Sequence, residues 1–349
     1  MPVIELARKG LKMLSAPLPF PRELPPTYET IQNEPMFEPA RHLALEPPRN
    51  VWRLSDFGYT AAAIRECASE VAVAGPFRLL SEEGVALARS VAQSLRDLCR
   101  TSDRTAKYLT GGVYRSRFLR DLCNCRQITD FLSDIAGCKL LPHSMPSQQL
   151  YINYAPDELA NAVDTWHVDS IGFDYVMLLS DPRTFDGGQF QFFRGTQAEA
   201  ARLLATDIEN LTGATGQDLP ADRVLSPAFP AAGYAVFQQG NMVMHRATRL
   251  TRRAERISMV PGLVACDTRC SDPTKNAVAD WGEPGIVAEF ARHKAWLSLT
   301  TLGEFVERVR LDAEPHEIRD GLQRSIADVL NAIAVIEQGG RRTTDDERP

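Results

Sequence analysis

The spacing of apolar positions gives the first part of the chain a helical pattern. Between residues 60 and 138 they recur every three or four positions, which predicts helices over 61–74, 81–99 and 125–136. Gly137 follows the last of these, where a left-handed glycine commonly ends a helix. Another helix is predicted over 315–337, because its apolar residues fall on one amphipathic face. Helices should therefore flank the centre of the chain.

From residue 148 the pattern changes to short segments rich in Val, Ile, Phe and Tyr, bounded by Gly, Pro and Asp. It predicts strands over 149–154, 165–171, 175–179, 189–193, 235–238, 242–248 and 256–264. An insertion over 196–230 interrupts them, starting with a helix capped by Thr196 and continuing as a polar loop. The predicted fold class is α+β with a mainly β core.

The pattern divides the chain into four segments. We expect a proline-rich arm over 1–59, a helical layer over 60–147, a β core over 148–265, and a helical segment with a polar tail over 266–349, with 60–338 as one structural unit. Ten prolines in the first fifty residues fix φ and remove donors, so the arm is neither a long helix nor a central strand. Tyr28, Phe37 and Trp52 predict that parts of the arm lie on the folded body. The C-terminal helix could cover the barrel or pair with a second subunit.

Composition excludes several classes of protein. The 349 residues are 44% hydrophobic and 24% charged, which is typical of a globular chain. No apolar run approaches the roughly 18 residues of a membrane span, and the first residues lack a signal-peptide pattern, so we expect a soluble, cytoplasmic protein. A net charge of −6 without a basic run argues against nucleic acid as a partner. Seven cysteines without a CxxC pair predict reduced, mostly buried thiols.

Two of the six histidines have neighbours that suit metal binding. In DTWHVDS, His167 and Asp169 are two positions apart, so on a strand both side chains leave the same face. His245, in GNMVMHRATRL, lies on another predicted strand and could supply a third ligand. Two imidazoles and one carboxylate on one side of a metal form the facial triad of non-haem Fe(II) oxygenases. An HxD tripeptide alone is common, and a structural histidine is the alternative.

A second group follows His245 after the polar turn LTRRAE. Arg256 and Ser258 share one face of the predicted strand 256–264. If that face is interior, the guanidinium needs an anionic partner, and a guanidinium beside a hydroxyl suits a carboxylate. The alternative is a surface ion pair with Glu255 or Asp267.

Together these motifs resemble the iron(II)- and 2-oxoglutarate-dependent oxygenases, whose pattern is HxD, a distant His and then Arg-x-Ser. FDGGQFQFF and the run from AAGYAVFQQG to ERISMVPGL are also similar to strands of that family. The resemblance covers about residues 148–265. It implies a double-stranded β-helix, a jelly-roll or cupin-like barrel, flanked by N-terminal and C-terminal helices.

The resemblance also implies roles for individual residues. His167, Asp169 and His245 would bind Fe(II), and Arg256 with Ser258 would hold the far carboxylate of 2-oxoglutarate. The motif shows a carboxylate site, but not whose carboxylate it binds.

YINYAP is similar to the Asn-Tyr-Tyr-Pro segment that precedes HxD in plant-type members, so Asn153 matches a cosubstrate-contacting position. Ala155 replaces the second tyrosine of that segment. Tyr151, on the same strand face as Asn153, is the substitute that we expect, with barrel packing as the alternative.

The implied activity is oxidation of a small molecule with O2 and 2-oxoglutarate, releasing succinate and CO2. Hydroxylation, desaturation and oxidative cyclisation all remain open, and an amino acid is one candidate substrate. One alternative is an oxidase that uses no 2-oxoglutarate and binds the substrate carboxylate at Arg256. Another is a non-catalytic barrel that binds a ligand or a structural metal such as zinc.

Overall fold

The protein is built around two antiparallel sheets with helices on either side, which confirms the predicted α+β class. The structure is a computed structural model that describes residues 17–25, 28–102, 104–208, 211, 218–267, 270–274 and 285–337. The predicted polar tail after Gly339 lies outside these residues.

Thirteen strands occur in the described residues. They are β1 (Val51–Arg53), β2 (Val71–Arg78), β3 (Tyr108–Thr110), β4 (Leu140–Pro142), β5 (Tyr151–Tyr154), β6 (Ala162–His167), β7 (Phe173–Leu178), β8 (Phe190–Phe193), β9 (Val224–Leu225), β10 (Tyr234–Gln238), β11 (His245–Arg249), β12 (Ile257–Val260) and β13 (Gly262–Ala265).

Ten α-helices occur in the same part of the chain. They are α1 (Pro39–His42), α2 (Ala61–Arg65), α3 (Glu82–Ser94), α4 (Gly112–Arg115), α5 (Arg117–Cys123), α6 (Arg126–Ala136), α7 (Pro146–Gln149), α8 (Gln197–Leu203), α9 (Ile286–Arg308) and α10 (Pro315–Glu337). Side-chain caps explain several starts, since Ser81 accepts from Gly84 N at 3.1 Å and Thr196 accepts from Glu199 N at 3.2 Å. The predicted helices over 125–136 and 315–337 are confirmed.

The strand order is that of a double-stranded β-helix. The larger sheet runs β1-β2-β10-β7-β12-β5-β3, with β13 paired to β7 and β4, and the smaller sheet runs β6-β11-β8-β9. From β5 to β12 the chain passes repeatedly between the sheets, with β5, β7, β10 and β12 in the larger one and β6, β8, β9 and β11 in the smaller one. This is the jelly-roll arrangement that the sequence resemblance implies, and the predicted fold is confirmed.

The core lies on both faces of the larger sheet. On its outer face, Leu119 and Leu132 of the helices pack with Ile152, Met177 and Phe237 of the strands. A second cluster between the sheets includes Val73, Val176, Val236 and Phe192. The helical layer therefore covers the outside of the barrel and leaves the space between the sheets for the site.

The predicted helix over 61–74 is wrong. A short α2 ends at Arg65, and the chain then forms β2 between β1 and β10. Both faces of β2 are buried, because Val71 packs with the helical layer and Val73 packs between the sheets. A strand buried on both faces has no alternation, so its apolar run resembles a helix in the sequence. The segment 60–147 thus contains β2, β3 and β4 besides its helices.

Several predicted strands have different limits; the strand expected over 242–248 is β11, which spans His245–Arg249. The strand expected over 165–171 is β6, which starts at Ala162 and ends at His167. The strand expected over 256–264 is divided into β12 and β13, with Pro261 between them. Proline has no N–H to donate to a ladder, which explains the break. Within the insertion 196–230, the capped helix is confirmed as α8.

The proline-rich arm lies on the body where the structure describes it. Tyr28 packs against Tyr114 with ring centroids 5.0 Å apart, and Phe37 packs against Phe118 at 5.6 Å. The expected contact between arm and body is confirmed, and β1, the strand within the arm, lies at the edge of the larger sheet. No helix among the described residues is long and apolar enough to cross a bilayer.

A buried ion-pair network joins α9 to the barrel. Asp272 Oδ2 accepts from His293 Nε2 at 2.9 Å and from Lys294 Nζ at 2.7 Å, and His293 Nδ1 lies 2.6 Å from Ser144 Oγ. Burial alone would raise the pKa of Asp272, but His293 and Lys294 hold it well below its usual range. The seven cysteines are reduced thiols, as predicted, but only Cys123 and Cys125 are buried, so the expectation of mostly buried thiols is wrong.

Candidate metal centre

The register of the smaller sheet brings the two predicted histidine ligands together. β6 and β11 are antiparallel neighbours, and His245 is the direct partner of His167. Their ring centroids are 4.1 Å apart. Antiparallel pairing thus places side chains from distant parts of the sequence on one face of the sheet.

Asp169 completes the cluster from a loop. It lies beyond the end of β6, and its N–H donates to Gly240 O at 3.0 Å, so the expectation that it shares a strand face with His167 is wrong. Its Oδ1 nonetheless lies 3.5 Å from His167 Nε2, and its Oδ2 lies 3.4 Å from His245 Nε2. The three ligand atoms are within 4.8 Å of one another and could hold one metal ion.

The hydrogen bonds of the imidazoles leave the same nitrogen of each ring facing the cluster. His167 Nδ1 lies 2.7 Å from Thr165 O, and His245 Nδ1 lies 2.9 Å from Val243 O. A carbonyl only accepts, so we assign the proton to Nδ1 and the lone pair to Nε2 in both rings. Burial lowers the pKa of His245 to about 4, which keeps that ring neutral near pH 7. Neutral imidazoles are the form that binds metals.

A second carboxyl group and an amide surround Asp169. Asp174 on β7 is fully buried, and Gln238 lies opposite it on β10. Gln238 Nε2 donates to Asp174 Oδ1 at 3.0 Å and to Asp169 Oδ2 at 3.2 Å, and it lies 3.1 Å from His245 Nε2. A Cβ at position 240 would overlap both carboxylates, so Gly240 is required there.

The two carboxyl groups differ in charge. Burial, with the charge of Asp169 adding to it, raises the pKa of Asp174 well above its usual value. Burial alone would also raise the pKa of Asp169, but His245 and His167 outweigh it and hold that pKa well below its usual range. Asp169 is therefore the ionised member of the pair. Sequence reasoning missed Asp174 and Gln238, although a carboxylate inside the apolar strand FDYVML is a usable signal.

A cavity of about 70 Å³ opens beside this cluster. All seven residues that the sequence proposes for the site contribute to its wall: Tyr151, Asn153, His167, Asp169, His245, Arg256 and Ser258. The wall also includes Arg104 and Asp164, which the sequence analysis did not single out.

Arg256 enters the cavity as a buried cation. It is only 2% exposed, and it donates from Nε to Gly188 O at 2.7 Å and from Nη1 to Ser258 Oγ at 3.0 Å. In the described part of the chain it forms no ion pair, and Glu255 pairs instead with Arg89, so the alternative of a surface pair is wrong. Burial lowers the pKa of Arg256 to about 10. No carboxylate lies within ion-pair distance of it among the described residues, and the charge of Asp164 offsets only part of the effect of burial.

The other cavity arginine is compensated. Arg104 Nε lies 3.7 Å from Asp164 Oδ1, which also accepts from Thr105 Oγ1 at 3.1 Å. Burial alone would lower the pKa of Arg104, but Asp164, together with Tyr151 and Asp169, outweighs it and raises that pKa. The cavity thus contains two arginines with opposite pKa shifts: the pKa of Arg104, which lies next to Asp164, is raised, and the pKa of Arg256, which has no ion pair among the described residues, is lowered.

Asn153 and Tyr151 lie on β5 next to the arginine strand. Asn153 pairs with Ser258, and its Oδ1 is buried without a hydrogen-bond partner among the described residues. Tyr151 stacks on Tyr108 with centroids 5.1 Å apart, so it contributes both to barrel packing and to the cavity wall. Ala155 packs in a separate apolar cluster.

Comparisons with known proteins give matches among solved structures alone. No protein-family model matches the chain, and no curated protein sequence matches it. The non-heme alpha ketoglutarate dependent epimerase SnoN from nogalamycin biosynthesis aligns with a TM-score of 0.41 and 16% identity, covering 60% of this chain and 84% of SnoN. The carbocyclase SnoK of the same biosynthesis aligns with a TM-score of 0.40 and 17% identity, covering 63% of this chain and 87% of SnoK.

HygX from Streptomyces hygroscopicus, solved with nickel and 2-oxoglutarate, aligns with a TM-score of 0.36 and 14% identity, covering 59% of this chain and 87% of HygX. In strand order and in the placement of its His-Asp-His cluster, the chain resembles the iron(II)- and 2-oxoglutarate-dependent oxygenases.

Proposed function

We propose that the protein is a non-haem Fe(II)- and 2-oxoglutarate-dependent dioxygenase that oxidises a small molecule. One observation carries the proposal: the cavity that contains the His-Asp-His cluster also contains Arg256, a buried guanidinium without a carboxylate partner. A buried charge is costly unless it is paired, so the cavity suits an anionic ligand next to a metal site. A 2-oxoacid with a second carboxylate satisfies both requirements.

His167, Asp169 and His245 would hold the iron. Their two neutral Nε2 atoms and one ionised carboxylate are the donor set that non-haem Fe(II) sites use, and ligands from one side leave the other side open. Gln238 orients Asp169 by donating to its Oδ2. A ferrous ion bound there would supply the oxidising chemistry together with 2-oxoglutarate and O2, and succinate and CO2 would be released as products.

Arg256 and Ser258 would hold the far carboxylate of the cosubstrate. The bond from Arg256 Nε to Gly188 O anchors one edge of the guanidinium, and the Ser258 hydroxyl lies within hydrogen-bond distance of Nη1. A Cβ at position 188 would collide with the Arg256 side chain, and the residue has φ +61°, so glycine suits this position. The Asn153 amide, after rotation, adds a donor from β5. Burial strengthens each of these charge-assisted bonds because water is excluded.

The substrate is proposed to be a small molecule, and hydroxylation, desaturation and oxidative cyclisation are all compatible with the site. An amino acid is one proposed class. The structures of SnoN and HygX were solved with nogalamycin RO and hygromycin B respectively, so larger natural products belong in the same substrate panel. Succinate release in the presence of O2 identifies a productive substrate whatever the outcome of its oxidation.

The test is an anaerobic titration of metal-free protein with Fe(II) and 2-oxoglutarate, recorded by visible absorption. We expect the charge-transfer band of a 2-oxoacid chelated to ferrous iron in the wild type, weakened or absent in Arg256→Met. Arg249→Met is the matched control, because Arg249 ends strand β11 in an exposed position outside the cavity wall.

Other outcomes contradict the proposal in distinct ways. Bound iron without the band favours an oxidase that binds the substrate carboxylate at Arg256. A preference for zinc over iron, with no O2 uptake, favours a non-catalytic barrel.

A further inference from the structure

Most of the large apolar side chains of helix α10 face solvent. A helix that only covers a core would bury them against it. Ser325 and Ala332 are its buried residues, and Gly321 contacts Phe305 of α9. Five large apolar residues instead face solvent, each 41–54% exposed: Leu322, Ile326, Leu330, Ile333 and Ile336. The side that faces α9 therefore carries small residues together with the half-buried Val329 and Val335, and the described residues leave a continuous apolar stripe exposed.

The stripe has the periodicity of a helix–helix seam. Apolar residues occur at 322, 326, 329, 333 and 336, which alternate in steps of four and three; Val329 is half-buried at the edge that meets α9, and Leu330 lies beside the row. A seven-residue repeat of this kind keeps one line of side chains facing a partner helix. The exposed apolar surface is roughly 400 Å², a size that in monomers usually marks an interaction site.

We propose that this stripe is a self-association surface, on which α10 of a second copy packs antiparallel about a two-fold axis. A two-fold contact uses the same patch on both copies, and the stripe offers an apolar residue at every seam position from 322 to 336. This proposal is independent of the proposed enzymatic function.

Charge at the two ends of the stripe selects the antiparallel orientation. Arg319 lies near its start and Glu337 at its end, about 27 Å apart along the helix axis. An antiparallel pair places Arg319 of each copy beside Glu337 of the other. A parallel pair would bring like charges together. In the single chain Arg319 contacts its neighbour Asp320 at 2.8 Å, but both side chains are at least half exposed and the contact can be exchanged.

The composition of α10 disfavours a lipid surface as the occupant. The helix carries four acidic residues, Glu317, Asp320, Asp328 and Glu337, and two arginines, Arg319 and Arg324. Helices that lie on membranes are rich in Lys and Arg on the polar face.

Further apolar surface extends the patch. Val306, in the last turn of α9, is 63% exposed, and Leu311, in the turn that joins the two helices, is fully exposed, so the partner's helix end can cover them. With these residues and the polar rim, the contact approaches the roughly 1,200 Å² of total buried area at the lower limit of stable interfaces.

The first test is sedimentation equilibrium of the full chain. We expect a dimer in the wild type and a monomer in the Ile326→Glu and Ile333→Glu variants, with unchanged circular dichroism and metal binding because both side chains are exposed in the single chain. Asn331→Glu is the matched control, since Asn331 is exposed on α10 outside the seam, and it should stay dimeric. A wild type that remains monomeric at ~100 µM, far above the Kd expected of a specific interface, would overturn the proposal.

A charge exchange tests the orientation. Arg319→Glu and Glu337→Arg should each weaken dimerisation about tenfold or more, because each variant sets like charges against each other across the interface. The double variant restores opposite charges and should recover dimerisation to within a fewfold of wild type. Failure of the double variant to recover, or binding of the monomer to anionic phospholipid vesicles through this helix, would contradict the proposed antiparallel pair.

Discussion

Replacement of Arg256 by methionine should remove binding of 2-oxoglutarate without lowering the stability of the folded protein. In most proteins, removing a buried arginine is strongly destabilising, because it leaves a buried carboxylate unpaired. Arg256 has no carboxylate within ion-pair distance among the described residues, and Asp164 offsets only part of its burial, so its charge destabilises the folded protein until an anion binds. Arg256→Met should therefore abolish binding of 2-oxoglutarate while it leaves the free energy of unfolding almost unchanged.

The magnitude follows from the pKa and the hydrogen bonds. Burial lowers the pKa of Arg256 from 12.5 to about 10. A depression of this size corresponds to about 3 kcal/mol of destabilisation at pH 7, where the group is charged in both the folded and the unfolded state. This cost disappears only as the pH rises above about 10. Methionine also loses the two charge-assisted bonds to Gly188 and Ser258, worth together about 3 kcal/mol if each is taken at the lower end of the range for hydrogen bonds to charged groups. The two effects nearly cancel.

The assay is urea unfolding of metal-free wild type, Arg256→Met and Arg104→Met, with and without 2-oxoglutarate. Arg104→Met is the contrasting variant, because it leaves the Asp164 carboxylate without its cation and should cost roughly 3 kcal/mol or more. Arg256→Met should change the unfolding free energy by less than about 1 kcal/mol, and added 2-oxoglutarate should stabilise wild type but not this variant. Equal destabilisation by the two substitutions would refute the reasoning, because Arg256 would then be a structural residue.

Four further substitutions test the centre and its support. Asp169→Ala should lose iron, measured by metal analysis, while its circular dichroism stays that of wild type. Gln238→Leu removes the donor to Asp169 and should weaken iron binding about 10-fold or more in a competition with a chromogenic chelator, with a folded protein by the same spectroscopy. Gly240→Ala should do the same, since the added methyl group overlaps the Asp169 carboxylate; iron binding equal to wild type would exclude this overlap. Asp272→Asn should destabilise by roughly 3 kcal/mol at pH 7 because it breaks a buried ion pair. Since the pKa of Asp272 is depressed, this stability is present above pH ~4 and is lost as pH falls, so the difference between variant and wild type should shrink in acid.

The sequence alone determined the features that depend on local pattern and residue chemistry. The helices over 125–136 and 315–337 follow from apolar spacing and a terminal glycine, which act within a few residues of one another. The sequence also identifies His167, Asp169, His245, Arg256 and Ser258 as candidates, because few residue types bind a metal or a carboxylate and their order resembles a known pattern; the structure places all five around one cavity.

The tertiary structure decided the features that depend on which distant segments pack against each other. The sequence pattern over β2 predicts a helix, because a strand buried on both faces has no alternation of apolar and polar residues. Asp169 reaches the cluster from a loop held by Gly240 rather than from a strand face, and no local rule places that loop. Arg104 and Asp164 come from distant parts of the sequence, so only the tertiary structure shows that they pair. The exposed stripe on α10 is likewise a property of packing, since the sequence shows that the helix is amphipathic but not which face its neighbour α9 leaves uncovered.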